Sequence, residues 1–368
     1  MKLMMPMWDA SLLHRYEPEI RAMSKHLDAL HVVYFRGNPQ GGYADFHRIR
    51  LNILPGPRAF TYAASLGPAW QQVKDIQVDL YYCLSGFWFE QYMAYFARKA
   101  GKPYVVRLRG DDVKVREIYG RPCAQRWVMK QLYIRTLRGA NLVIPISEAM
   151  RSLAFSHGVN PRRVTAPLPN GVDTKLFKPS PWKFDSFRLG YAGRISPEKG
   201  IDFLTRLMQE TPDVDYVVAG KDQIGWTPPG NAEYWGELDY KEMPRFYKAI
   251  TALLIPSYTE GYSCVLREAY ACGRPVIISS AALTPEARVF GLCLPHDLED
   301  WKKVIYWLKE DYMGLRSSST IVEWGAKATE WAGRFSWEEY GKALVRLLEK
   351  TQKWGGAWND RAVRRFKM

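Results

Sequence analysis

The stretch Pro256-Ser257-Tyr258-Thr259-Glu260-Gly261-Tyr262-Ser263-Cys264-Val265-Leu266-Arg267-Glu268-Ala269-Tyr270-Ala271-Cys272-Gly273-Arg274-Pro275-Val276-Ile277 decides the fold of this chain. Ahead of it runs the apolar Ala252–Ile255, and Val276–Ser279 closes it. Short apolar runs bounded by turn residues read as buried strands. Between them a polar loop enters a helical pattern over Val265–Cys272, stopped by Gly273 and Pro275. A strand, a crossover helix and a second strand make a parallel pair.

The same alternation extends in both directions. Upstream, strands are expected at Lys2–Met7, Leu30–Phe35, Ala59–Ala63, Leu80–Leu84, Tyr104–Leu108, Leu142–Ile146 and Arg163–Ala166. Helical spacing covers His14–His26, Phe87–Lys99 and Glu148–Ser156. After the Pro-rich Lys178-Pro179-Ser180-Pro181 the series restarts, with strands at Phe187–Ala192 and Tyr216–Ala219 and helices at Ile201–Glu210 and Glu242–Ala249. Alternating β and α elements with short connections give parallel sheets covered on both faces. The chain is therefore expected to be α/β, with two doubly wound domains facing each other across a cleft. Residues 1–180 form the first, 181–335 the second, and 336–368 a closing helix and basic tail packing back toward the first. Ligands in such sheets bind beyond the carboxyl ends of the strands.

Composition narrows the classes further. The 368 residues are 47% hydrophobic and 24% charged, which excludes disordered and fibrous chains. No run approaches the ~18 apolar residues of a membrane span. Met1–Asp9 is too brief for a secretory leader and reads as a first strand, so a cytoplasmic protein is expected. Five cysteines form no C-x-x-C pair and six histidines form no H-E-x-x-H spacing, so neither structural nor catalytic zinc is expected.

The net charge of +14 is unevenly spread. Residues 1–180 hold 26 Lys and Arg against 13 Asp and Glu, whereas residues 181–368 hold 26 against 25. A first half at +13 attracts an anionic partner: a phosphorylated substrate, an acidic membrane surface or nucleic acid. Ala124–Arg138 reads as a helix carrying Arg126, Lys130, Arg135 and Arg138, either a bilayer-binding face or a scaffold helix with snorkelling cations. Lys353–Met368, with Trp354, Trp358, Arg361, Arg364 and Arg365, is a second interfacial candidate or a frayed basic tail.

Chemistry gathers after two strands of the second half. Glu260 lies in the loop before the helix, and Glu268 lies within it. Amides from Gly261 through Tyr262, Ser263 and Cys264 lead the helix start, which suits a phosphate or a sugar hydroxyl. A carboxylate accepts two hydrogen bonds from a vicinal diol, so one glutamate suits a sugar and the other a ribose. The second constellation is Gly190-Tyr191-Ala192-Gly193-Arg194-Ile195-Ser196-Pro197-Glu198-Lys199-Gly200-Ile201. Arg194 and Lys199 project from one loop and suit a departing diphosphate, each worth ~3 kcal/mol when well placed. Read alone, the simpler account of each motif is a set of solvated loop or helix charges.

Together these stretches resemble the nucleotide-sugar glycosyltransferases of the GT-B fold, specifically the retaining family 4. Pro145-Ile146-Ser147-Glu148, Pro169-Asn170-Gly171-Val172-Asp173 through Phe177, and Phe335-Ser336-Trp337-Glu338 are similar to further signatures of that family. The resemblance runs from about residue 79 onward. It implies two Rossmann-like domains, with Gly193, Arg194 and Lys199 on the donor diphosphate. Glu260 would contact the transferred sugar, Gly261 to Cys264 would lend amides, and Glu268 would hold the ribose. It also implies retention of anomeric configuration by same-face attack, with no metal, no cofactor and no protein nucleophile. Two places depart from the family pattern. Trp8-Asp9-Ala10-Ser11 stands where relatives carry Gly-Gly, which occurs here only as Gly41-Gly42. Arg107-Leu108-Arg109-Gly110-Asp111-Asp112 stands where relatives carry His-Gly. Arg109 cannot serve as a base but can bind a phosphate, while Asp111 or Asp112 can orient an acceptor hydroxyl; a structural Arg–Asp pair is the alternative.

The expected activity is transfer of a sugar from a nucleoside diphosphate to a hydroxyl of a glycan, in particular a lipid-linked or phosphorylated one, at an anionic membrane surface. A sugar-nucleotide epimerase or a phosphorylase on the same scaffold is the alternative enzyme. A non-catalytic binder of anionic polymer is a third class. No RNP motif, zinc knuckle or helix-turn-helix spacing supports a nucleic-acid partner.

Overall fold

A computed structural model describes residues 1–9, 13–39, 41–50, 58–84, 91–110, 123–182, 186–258, 260, 263–282, 290–314 and 320–354. It divides into two compact units, Met1–Gly171 with the segment from Trp337 onward, and Val172–Ser336.

The first unit runs β1 (Lys2–Asp9), α1 (Leu13–Ser24), β2 (Ala29–Arg36), β3 (Asp45–Arg48), α2 (Arg58–Val73), β4 (Leu80–Cys83), α3 (Gln91–Ala100), β5 (Tyr104–Leu108), α4 (Cys123–Gly139), β6 (Leu142–Pro145) and α5 (Glu148–Ser156). Its strands form one parallel sheet in the order β3-β2-β1-β4-β5-β6. Every residue of β4, β5 and β6 is buried, as parallel strands covered on both faces require.

The second unit runs β7 (Arg188–Ala192), α6 (Ile201–Glu210), β8 (Asp215–Ala219), β9 (Ala232–Tyr234), α7 (Met243–Ala249), β10 (Ala252–Ile255), α8 (Cys264–Ala271), β11 (Val276–Ser279), β12 (Gly291–Leu294), α9 (Leu298–Tyr312) and α10 (Thr320–Gly333). Its parallel sheet has the order β12-β11-β10-β7-β8-β9. Counted from its own first strand, this is the succession of the first unit. Both sheets are doubly wound, and in each the chain reverses direction across the sheet beside its first strand, at β1/β4 and β7/β10.

The last helix, α11 (Trp337–Trp354), belongs to the first unit. Tyr340, Leu344 and Leu348 are buried in one apolar cluster with Leu3, Met5, Ile20 and Met23. The unit boundary lies at Gly171–Val172 and not beyond residue 180. The Val172 amide donates to Phe335 O at 2.8 Å, and Val172 and Phe177 join the core of the second unit.

Three sequence expectations fail locally. Ala59–Ala63 is helix, part of α2, because an Ala-rich run continues with helical periodicity to Val73 and Ala is the strongest helix former. Arg163–Ala166 makes a single bridge, Val143 to Val164, instead of a strand. Asp45–Arg48, Ala232–Tyr234 and Gly291–Leu294 are strands without a predicted counterpart. Each lies at a sheet edge and is only partly buried or exposed; Asp45–Arg48 and Ala232–Tyr234 lack the apolar run that marks an interior strand, and Gly291–Leu294 is apolar but opens on a glycine, which weakens its strand signal.

Candidate functional site

The site is built on β7 and β10, neighbours in register at Ala252–Leu189 and Leu253–Gly190. Their following loops are fastened together through the backbone. The Tyr258 amide donates to Glu198 O at 3.1 Å. Gly200, with φ +72°, packs where a Cβ would overlap the Pro256 carbonyl oxygen, so only glycine satisfies both the left-handed backbone and the close approach. The loop after β8 is joined as well: Ile195 N donates to Lys221 O at 3.0 Å and Gln223 N to Ile195 O at 3.2 Å.

On this frame Lys199 Nζ donates to Glu260 Oε1 at 2.7 Å, with the two side chains 20% and 9% exposed. Ser257 Oγ donates to the same oxygen at 2.9 Å. Oε2 of Glu260 has no partner among the described residues. Arg194 Nη2 lies 3.1 Å from Glu198 Oε1, with its own side chain half exposed. Tyr191 donates its hydroxyl to Arg194 O at 2.6 Å; burial, and then the nearby Glu260 and Glu198 carboxylates, push that hydroxyl's pKa up. Burial raises the Glu198 pKa, but its hydrogen bonds and the Arg194 and Lys199 charges leave it below the ordinary carboxylate value. The loop base is pinned by Ser279 Oγ, which donates to Ser257 O, and by His296 Nε2, 2.7 Å from Pro256 O. A carbonyl oxygen only accepts, so His296 carries its proton on Nε2.

Glu268 occupies a second position, on α8 against α7. Tyr247 donates its hydroxyl to Glu268 Oε2 at 2.8 Å, and Oε1 has no partner among the described residues. Burial pushes the Glu268 carboxyl up to about 7, against the downward pull of that hydrogen bond. Ser263, at the start of α8, makes no side-chain cap, and Cys264 follows it as an exposed residue. The helix start thus has no cap from the Ser263 side chain and presents its positive dipole end. Both glutamates share one arrangement, with one oxygen held by protein donors and the other open to accept.

The family model for glycosyl transferases group 1 matches residues 186–311, and that for the glycosyl transferase 4-like domain matches residues 16–171. The chain belongs to family 4 of the GT-B glycosyltransferases. Among curated proteins, the D-inositol 3-phosphate glycosyltransferase of Mycobacterium marinum is 28% identical over 231 residues, covering 55% of this chain and 48% of that protein. The chain thus aligns with about half the length of such relatives. Among solved structures, sucrose-phosphate synthase from Thermosynechococcus elongatus superposes with TM-score 0.72 at 18% identity, over 95% of this chain and 98% of that one. Anabaena HepE, solved with UDP and glucose, superposes with TM-score 0.71 at 17% identity, over 95% and 99%.

Within this family-4 chain the structure brings Arg194, Lys199 and Glu260 onto adjoining loops, with Gly193 at the β7 end, where its amide donates to Ala219 O at 3.0 Å. Gly261, Tyr262, Asp111 and Asp112 lie outside the described residues, as does the tail beyond residue 354. Arg109, expected at an acceptor phosphate, is ion-paired with Glu19, and its guanidinium lies 5.2 Å from the Tyr16 ring centroid. Glu19 is buried and also accepts from Tyr82 at 3.1 Å and Tyr340 at 2.6 Å. The pairing carboxylate is thus a glutamate 90 residues upstream, a partner no local motif could reveal. Sequence reasoning also missed Ser257, Glu198 and Tyr247. The first two sit inside the quoted motifs, but nothing in their spacing marks Tyr247. Lys221–Gly225, the loop after β8, is held by Asp222, which accepts from the amides of Ile224, Gly225 and Trp226 at 2.8–3.0 Å. Among the described residues no cluster of His, Cys, Asp and Glu could hold a metal ion, and no helix is long and apolar enough to cross a membrane.

Proposed function

We propose that this chain transfers a sugar from a nucleoside-diphosphate sugar to an acceptor hydroxyl, retaining anomeric configuration and using no metal. The observation that carries the reading is the Lys199–Glu260 contact at the tips of β7 and β10, where the sheet order reverses. Cation and carboxylate satisfy each other at 2.7 Å. A sugar diphosphate offers a better partner to each, phosphate oxygens to Lys199 and hydroxyls to Glu260. Arg194, half exposed on the same loop, adds a second cation for the charge that grows on the leaving diphosphate. Two fixed cations thus do the neutralising that a divalent ion does elsewhere. Glu268 takes the ribose diol, and the positive end of the α8 dipole suits oxygens of sugar and phosphate. Glu260 grips the sugar and forms no covalent bond to it.

The acceptor is proposed to be a phosphorylated or lipid-linked polyol held by the first unit. The naming of the mycobacterial relatives for an inositol phosphate supports this, as does the +13 balance of residues 1–180. Arg109 enters as a phosphate ligand only by exchanging Glu19 for the phosphate, and Asp111 and Asp112 remain the proposed contacts to the hydroxyl.

The test uses radiolabelled nucleotide sugars, beginning with UDP-glucose because the similarly folded HepE is solved with UDP and glucose. Label should pass to a second molecule, whereas isomerised donor or phosphate-dependent turnover would identify an epimerase or a phosphorylase. Glu260→Ala should lower turnover by about 10²–10³-fold while nucleotide affinity changes by less than about fivefold. Turnover near the wild-type rate would remove Glu260 from its role.

A further inference from the structure

Tyr247 is wholly buried, yet it carries a hydroxyl. Its ring packs edge-on against Phe177 and Phe246, with centroids 5.8 and 5.3 Å away, so phenylalanine would fill the same space. The hydroxyl reaches Glu268 Oε2 at 2.8 Å and the Val265 carbonyl at 3.4 Å. One proton cannot serve both fully, and the charged, nearer acceptor takes it. The backbone behind the ring is fixed too. Arg274, itself buried, donates Nε to Tyr247 O at 2.9 Å and Nη2 to Ser180 Oγ at 2.8 Å, and its guanidinium lies 4.2 Å from the Trp182 ring centroid. Ser180 and Trp182, Arg274, Tyr247 and Glu268 form one chain of contacts that ends on a carboxylate with a single open oxygen.

We infer that Tyr247 is the positioning residue of the nucleotide grip: its hydroxyl, donated to Oε2 of Glu268, fixes the plane of that carboxylate and leaves Oε1 to accept from the ribose diol. This rests on the nucleotide-sugar reading above. A carboxylate on a flexible side chain otherwise spreads over several orientations, and ordering it beforehand strengthens the grip. The hydrogen bond also favours the ionised form, against burial that pushes Glu268 up to about 7. Among the described residues, the other titratable or charged groups around the pair are the thiols of Cys264 on α8 and of Cys272 just after it, and the Arg274 guanidinium. Arg267 of α8 turns instead to the Trp331 and Phe335 rings. With Glu268 titrating near neutrality, nucleotide affinity rises with pH through that range, and loss of the Tyr247 hydroxyl moves the rise to higher pH.

The experiment titrates UDP, GDP and ADP into the full chain by calorimetry between about pH 5.5 and 8.5, a window that brackets that titration. For whichever nucleotide binds, Tyr247→Phe should weaken affinity about tenfold at pH 7 and move the inflection up by about one pH unit. The turnover number should stay within about threefold, because a ribose contact is made equally in ground and transition states. Glu268→Gln should abolish the inflection, and adding Tyr247→Phe to it should change nothing further. If Glu268→Gln weakens binding while Tyr247→Phe keeps wild-type affinity and inflection, the positioning role is overturned and the nucleotide reading stands. If Glu268→Gln binds like the wild type, or no nucleotide binds, that reading fails and takes the inference with it. Should Tyr247→Phe not fold, 3-fluorotyrosine at position 247 keeps the shape and sharpens the donor. The inflection should then fall, and an unmoved one overturns the inference.

Discussion

Arg194 and Lys199 stand five positions apart but in different surroundings. Lys199 is 20% exposed and bound to Glu260, whereas Arg194 is half exposed and, among the described residues, its guanidinium is held by Glu198. Removing Lys199 would leave a largely buried carboxylate unpaired and confound stability with catalysis. Arg194→Ala is the cleaner probe. It should lower the turnover number about 10²-fold with less than a threefold rise in donor KM, since leaving-group charge develops in the transition state. Equal effects on both constants would make Arg194 a ground-state contact only. Glu268 makes a thermodynamic prediction of its own. Its folded pKa of about 7 exceeds the ordinary 4.5, so between those values the unfolded chain releases a proton that the folded chain keeps. Stability therefore falls as pH rises from about 4.5 to 7 and stays lower above. Glu268→Gln removes that loss. Its Tm advantage over wild type should be small at pH 5 and correspond to about 2–3 kcal/mol at pH 8. An advantage independent of pH would show that Glu268 does not titrate in this window.

At the scale of elements, the loops after β7 and β10 act as one piece because Gly200 lets the first lie directly on the second. Gly225 shares its φ of +72° but has open space around a would-be Cβ. Gly225→Ala should therefore cost only the left-handed strain, about 1 kcal/mol. Gly200→Ala adds a backbone overlap and should cost about 2–4 kcal/mol by urea unfolding, with lost turnover as Lys199 is displaced. Equal costs at the two sites would show that the close approach contributes nothing. Interior strands such as Ala252–Ile255 and Val276–Ser279 were readable to the residue, because burial on both faces demands a nearly continuous apolar run. Edge strands such as Asp45–Arg48 carry no such demand and left no signal. Ala59–Ala63 misled for a related reason: a short apolar segment fits a buried strand and a helix equally until its length is known.

Across the whole molecule the chain leaves the first unit at Gly171 and re-enters it at Trp337. The return helix α11 sets Tyr340 on Glu19, the same carboxylate that holds Arg109. The charge excess belongs mainly to the part before residue 180, and α4 within it exposes Trp127 to 63%. An exposed tryptophan on a basic helix suits the boundary of an anionic bilayer. The chain should float with vesicles of phosphatidylcholine and phosphatidylglycerol at low salt, and lose them near about 0.5 M salt as the surface charge is screened. No flotation at low salt would overturn the membrane surface expected from the sequence.

The sequence by itself determined the parallel α/β class, the family, which loops hold Arg194, Lys199 and Glu260, and which helix holds Glu268. These are consequences of periodicity and of residue types at fixed local spacing, which a linear string preserves. Only the tertiary structure decided that β7 and β10 are neighbours, that Lys199 meets Glu260, that Tyr247 holds Glu268, and that Glu19 claims Arg109. Those pairings join residues 21 to 90 positions apart, and strand order and packing, which no local pattern encodes, choose the partner.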